Sequence, residues 1–148
     1  MRITTVAHAT EDVGKIVVAI NHLSTEDIVS SNIKRMRLKG HYGNVITTFT
    51  LSLKGVSAKS FFHQLWSGMS KDDRFSIIQS LENRLDPEGR FYLRLDKQAA
   101  FQGNFRLSEQ DPIKLEVSFI NGHDSFQDQP SKLRRMLESE DGSRQVET

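Results

Sequence analysis

The sequence contains no cysteine. That excludes disulfides and thiolate zinc sites and suits a reducing compartment. Residues 1–12, MRITTVAHATED, carry no apolar run of signal length, and no stretch approaches the length of a membrane span. The chain therefore reads as soluble and cytoplasmic. It also lacks an excess of either charge: 20 Lys and Arg face 19 Asp and Glu, for a formal net charge of +1. A diffuse polyanion binder is disfavoured, so any nucleic-acid site has to be a local basic patch. Catalytic signatures are missing as well. There is no His-x-x-x-His pair and no regularly spaced pair of carboxylates. No serine sits in a nucleophile elbow, no glycine-rich loop leads into a helix, and no segment repeats. The expectation is a non-enzyme that needs no metal and no cofactor.

What is present is enough for one modest core. Hydrophobic residues make up 36% of the 148, with nine Phe and one Trp, which suits one domain with a tail. Residues 2–9 are rich in β-branched side chains and read as a strand. Thr10 looks like an N-cap, with Glu11 and Asp12 as first-turn acids. Val13, Ile16, Val17, Ile20 and Leu23 recur at helical spacing, giving a helix over 11–23. After a polar connector, residues 33–41 alternate as a strand. Met36 and Leu38 point one way, and Arg35, Arg37, Lys39 and His41 the other. Tyr42-Gly43-Asn44 suits a turn into a second strand over 45–53, completing a hairpin.

Ser57 is expected to cap a helix with a stripe of Phe61, Phe62, Leu65, Trp66 and Met69. Ser70 with Asp73 resembles a capping box for a further helix carrying Phe75, Ile78, Leu81 and Leu85, which stops before Pro87. Residues 91–96 form a strand with Tyr92, Arg94 and Asp96 outward. Residues 97–101 are a short helical piece, 105–107 pair locally, and 113–119 form the last strand. The order is β-α-β-β-α-α-β-(β)-β. That is an α+β fold: a two-layer α/β sandwich on a mostly antiparallel sheet, with helices on one face and the other face open. The domain is expected over 1–121. Residues 122–148 read as a polar, partly disordered C-terminal tail, with a short helix around Leu133, Met136 and Leu137.

The strongest chemical feature is the row Arg35, Arg37, Lys39, His41 on one strand face. Tyr92 and Arg94 are expected to share that face, with Lys97, Arg90 and Arg106 near its end. Cations neutralise phosphates, exposed rings stack on unpaired bases, and a sheet used this way is an RNA platform. Periodicity alone favours a solvated outer face, salt-bridged by Asp96 and Glu116. His8, Glu11 and Asp12 invite a metal or acid–base reading, but the two acids are already explained as helix-start residues. The Phe61, Phe62, Trp66 and Phe75 stripe fits a core better than a partner surface. In the tail, Lys132 to Leu137 offers a docking segment, although a mixed-charge tail reads the same way.

Three stretches taken together resemble a known family. They are His8-Ala9-Thr10-Glu11-Asp12, then Gly40-His41-Tyr42-Gly43-Asn44, then Arg84-Leu85-Asp86 leading to Tyr92-Leu93-Arg94-Leu95-Asp96-Lys97-Gln98-Ala99-Ala100. Their order and separation over residues 1–120 are similar to those of archaeal RNA-binding proteins described as exosome-associated. The resemblance implies a fold similar to the fifth protein of the large ribosomal subunit, RNA as partner, and a link to subunits of the RNA-degrading exosome. Val45 departs from the proline that usually follows the Gly-Asn turn. The candidate contacts it implies are His41, Tyr42 and Asn44 in the turn, and Arg94, Lys97 and Gln98 after the fourth strand. The competing expectation is a protein-interaction domain that forms a homodimer through the tail or an exposed sheet edge.

Overall fold

Alternating polar and apolar residues make the strands, and apolar residues at three- and four-residue spacing make the helices that cover them. The computed structural model describes residues 1–8, 11–22, 33–40, 43–118 and 129–146, with backbone alone at 129 and over 141–146. In chain order the elements are β1 (Arg2–Ala7), α1 (Val13–His22), β2 (Lys34–Lys39), β3 (Val45–Ser52), α2 (Gly55–Gly68) and α3 (Lys71–Gln79). A short 3-10 turn (Leu81–Arg84) follows, then β4 (Arg90–Leu95), α4 (Lys97–Phe101), β5 (Ile113–Ser118) and α5 (Gln129–Val146).

The five strands form one antiparallel sheet in the order β2-β3-β1-β5-β4. The α+β architecture read from the sequence is the one observed. Ile3, Phe49, Leu51, Phe91, Leu93, Leu95, Ile113, Leu115 and Val117 form the covered face. Against them pack Ile16 and Ile20 of α1, Phe61, Phe62, Leu65 and Trp66 of α2, and Ile77 and Ile78 of α3. The local pairing expected at 105–107 is present as bridges from Phe105 to Met69 and from Leu107 to Leu95.

Several local expectations change. The side chain of Asp12 accepts from Gly14 N–H at 2.8 Å, so Asp12 caps α1 and is not a first-turn acid. Thr10 lies outside the described residues. α2 begins at Gly55, before Ser57, and its N-cap Lys54 has no side-chain cap bond. Ser70 does cap α3, accepting from Asp73 N–H at 3.1 Å, but the Asp73 carboxylate turns to Leu107 N–H instead of completing a box. Phe75 is 65% exposed, because the buried side of α3 is Ile77 and Ile78, with Leu81 beyond its end. Residues 129–146, expected as tail, form α5. Its Leu133 and Leu137 join the same core cluster as the sheet, since i and i+4 put both on one helix face.

β2 sits at the sheet edge and all six of its residues are exposed. Among the described residues, no helix packs over it. Gly43 has φ +78°, the left-handed conformation that a tight hairpin turn needs, and Gly40 N–H bonds to Asn44 C=O at 2.6 Å to close it. His41 and Tyr42 lie outside the described residues.

Candidate nucleic-acid interface

In an antiparallel pair, residues directly opposite each other point to the same side of the sheet. Register therefore decides which side chains share the open face. Lys34 pairs with Thr50, Thr50 with Thr4, Thr4 with Lys114, and Lys114 with Arg94. These five residues make one transverse row across all five strands, on the side away from the core. At about 4.8 Å per strand the row runs roughly 19 Å from Lys34 to Arg94. It runs cation, hydroxyl, hydroxyl, cation, cation: three positive side chains flank two threonines that both donate and accept. Among the described residues, Lys34 and Lys114 have no ion-pair partner, whereas Arg94 bonds to Glu109 at 2.9 Å.

A neighbouring row holds Ser52, Arg2, Glu116 and Tyr92. Glu116 takes Arg90 at 3.1 Å and Arg2 at 3.9 Å, so this row is close to neutral. On the other side of the basic row are Met36, Thr48 and Val6, and then Leu38 and Ile46. Met36 and Leu38 are 61% and 56% exposed.

This arrangement overturns the expected row. Arg35 pairs with Phe49, Arg37 with Thr47, and Lys39 with Val45. Phe49 and Thr47 are buried on the core side, so Arg35, Arg37 and Lys39 lie on the helix side of the sheet and do not share a face with Tyr92 and Arg94. Arg35 rests its guanidinium 5.5 Å from the centroid of Phe49. They stay exposed, at an edge strand over which no described helix packs. Asn44 is exposed beside the hairpin turn, at the β2 edge and far across the sheet from β4.

The opposite edge of the sheet, β4, is built around Asp86. Its carboxylate accepts from Glu88 N–H, from Arg90 N–H and Nε, and from the Tyr92 phenol at 3.0 Å. Burial works against ionisation there, but the donors outweigh it and Asp86 titrates below its ordinary range. The carboxylate in turn pushes the Tyr92 phenol above the ordinary tyrosine value. Arg90 also contacts Glu88. Tyr92 is therefore fixed by its hydroxyl while its ring faces out. Two segments cross the free edge of β4. Asp86 N–H bonds to Arg90 C=O, and Ser108 N–H bonds to Arg94 C=O. Between them lies a cavity of about 370 Å³ lined by Asn83, Arg84, Tyr92, Arg94 and Glu109.

Lys97 and Gln98 lie away from that edge. Lys97 is 7% exposed, and its ammonium donates to Val6 C=O at 2.6 Å, Glu11 at 3.1 Å and Asp111 at 3.0 Å. His8 Nε2 lies 3.2 Å from the other oxygen of Asp111. The structure thus joins His8 and Glu11 with Asp111 in place of Asp12, and the Lys97 ammonium is bonded to both carboxylates of that group. Lys97 is a core ion-pair residue, a role better suited to holding β1, α1 and α4 together than to touching RNA. Gln98 is exposed beside it, at a small polar hollow with Lys15 and Phe101.

Residues 1–119 match a family model described as RNA binding. The chain belongs to this RNA-binding family. It is 32% identical over 116 residues to an RNA-binding protein of Pyrococcus abyssi, a match that spans 76% of this chain and 75% of that one. Among solved structures, a protein of Archaeoglobus fulgidus from a domain family of unknown function superposes with a TM-score of 0.79. It is 28% identical, with 92% of this chain and 96% of that one covered. A protein of the same domain family from Methanothermobacter thermautotrophicus, at 22% identity and a TM-score of 0.72 over 92% of this chain and 95% of that one, shows the fold alone.

Sequence reasoning did not single out Lys34, Thr50, Thr4 and Lys114, and named Arg84 only within the Arg84-Leu85-Asp86 stretch. Lys34 and Lys114 were visible as the polar members of alternating strands. Only the register of four strand pairs lines them up with Arg94.

Proposed function

We propose that this chain binds RNA on the open face of its sheet, through the row Lys34, Thr50, Thr4, Lys114 and Arg94. The observation that carries the reading is the row itself: cations and hydroxyls in register on the side away from the core, its two lysines without an ion-pair partner among the described residues. One Tyr stands on that face among the described residues, so stacking of several bases is not what the surface supports. Cations for phosphates and threonine hydroxyls for ribose 2′-hydroxyls suit recognition by backbone and shape, as for structured RNA.

The test is fluorescence anisotropy with a labelled RNA hairpin over a range of salt. Replacing Lys34, Lys114 and Arg94 by Gln should weaken binding and flatten the salt dependence. The log–log slope should fall by about 0.7–0.9 for each phosphate that is no longer neutralised. Replacing Arg35, Arg37 and Lys39 by Gln should flatten it less. No binding by the wild type at low salt, or equal effects of the two triple variants, overturns the reading.

The proposal extends to a role beside an exosome-type RNA-degrading assembly in the cytoplasm, supported by the three-stretch resemblance. It takes the fold similarity to the fifth large-subunit ribosomal protein as part of the same reading. It assigns the chain no catalysis: the Glu11 and Asp111 carboxylates beside His8 are engaged by the Lys97 ammonium, which supports a structural role for them. Co-purification of exosome subunits that survives nuclease treatment would support the link, and loss of every such partner would remove it. Homodimerisation through the β2 edge is disfavoured, since Lys34, Arg35, Arg37 and Lys39 of two copies would meet with like charges.

A further inference from the structure

The cavity at the β4 edge has a composition that the open-face row does not explain. Two guanidiniums, Arg84 and Arg94, stand close enough to repel, and burial with that repulsion pulls the pKa of Arg84 below its usual value. Arg84 is half-buried, and its Nε donates to Ser80 Oγ at 2.9 Å, which fixes the plane of the group. The facing wall is the ring of Tyr92, held from behind by Asp86. The remaining lining groups are the Asn83 side chain and the Glu109 carboxylate. Glu109 is 73% exposed and its Oε2 lies 2.9 Å from Arg94.

We propose that this cavity takes one unpaired nucleotide of a bound RNA, with its phosphate between Arg84 and Arg94 and its base against the Tyr92 ring. The inference rests on the RNA-binding reading above and adds a specificity to it. A phosphate alone has no use for the ring, and a neutral base alone has no use for two guanidiniums. The volume of about 370 Å³ falls at the low end for small-ligand sites, where a single nucleotide belongs. Paired bases cannot reach the ring, because their faces are stacked within the duplex. In the free protein the Glu109 carboxylate occupies the place of a phosphate oxygen on Arg94. A bound nucleotide displaces it, which an exposed side chain allows at little cost.

The test compares two labelled RNAs with wild-type protein: a blunt hairpin, and the same hairpin with a short single-stranded overhang. The overhang RNA should bind about tenfold more tightly, the value of one phosphate contact plus one stacked base. Arg84→Met should bring the ratio of the two affinities close to one. Glu109→Gln, a surface change that leaves folding intact, should raise the ratio roughly threefold by removing the competing carboxylate. Tyr92→Phe keeps the ring and should keep the preference, whereas Tyr92→Ala should lose it. If the wild type binds neither RNA, the RNA reading falls and the cavity inference with it. If it binds both equally and Glu109→Gln changes nothing, the cavity inference is overturned while the open-face reading stands.

Discussion

The Nζ of Lys97 lies 3.0 Å from the Asp111 carboxylate, tying the start of α4 to the loop that leads into β5. Asp111 is the non-glycine residue with positive φ, +43°, among the described residues. Aspartate tolerates that conformation better than most side chains, but it still has to be held. The lysine holds it, and holds Glu11 on the other side. Lys97→Met should therefore destabilise the fold by about 1–3 kcal/mol, because two neighbouring carboxylates lose the charge between them. Urea unfolding of the variant checks the size. RNA affinity per folded molecule should be unchanged, and a drop in affinity at unchanged stability would return Lys97 to the binding surface.

The same contact carries a pH dependence. Burial alone would raise the pKa of Asp111, but the Lys97 and His8 contacts outweigh it and hold the carboxyl below its ordinary range. The folded value lies below the unfolded one. The contribution is therefore fully present above the unfolded value of about 3.9 and is lost as pH falls through the folded value. Half of the side chain meets water, so the amount is under about 1 kcal/mol. The stability gap between wild type and Asp111→Asn should stay constant above about pH 4 and close in more acid solution. A gap that persists undiminished at low pH would show that the charge is not the cause.

Alternation in the sequence identified which residues of β2 share a face, but not which face the helices cover. Assigning Met36 and Leu38 inward followed the usual rule that apolar residues face the core. That rule needs a covering layer, and none of the described helices packs over β2. The register with β3 then decides, and it puts Arg35 beside Phe49, with its guanidinium over the ring. Tyr92 and Arg94 were legible as outward residues because β4 is half-buried and its alternation is clean. The partners of Lys97 were not legible. Glu11 is 86 residues away along the chain, and nothing in local spacing marks a lysine for burial. Arg84 was legible as part of the Arg84-Leu85-Asp86 stretch, but its role was not: the structure sets it on a 3-10 turn, and it lines the cavity beside β4 only through tertiary packing.

Gly68, the last residue of α2, shows how tightly the helical layer closes over the 105–107 segment. A Cβ at this position would lie 2.4 Å from Cδ2 of Phe105 and 2.6 Å from Cε2. The ring cannot withdraw freely, since Phe105 is bridged to Met69 by its backbone. Gly68→Ala should cost about 1–3 kcal/mol through overpacking, despite the better helix propensity of alanine. Pairing it with Phe105→Ala should recover part of that cost, so the double variant should be more stable than the sum of the single effects predicts. Strict additivity in a thermal or urea unfolding cycle would count against the contact.

The C-terminal helix α5 raises the question of what the domain needs in order to fold. Its composition is that of a solvated tail, yet Leu137 is fully buried and Leu133 is 4% exposed. Polar contacts fix the helix against two other elements. Arg134 bonds to Glu82 on the 3-10 turn at 2.6 Å, and the ring of His63 on α2 lies 2.8 Å from Glu140. Both polar pairs are largely exposed, so each adds under about 1 kcal/mol, and the leucines carry the docking. Leu137→Ala should destabilise the protein by about 2–5 kcal/mol, whereas Arg134→Ala should cost under about 1 kcal/mol. Removing residues 129–148 should cost at least as much as Leu137→Ala, because it uncovers the core surface beneath both leucines. Unfolding monitored by the fluorescence of Trp66, itself buried on α2, reads all three variants in one assay. A truncated chain as stable as the full one would show that residues 1–128 form a self-sufficient domain and that α5 only rests on it.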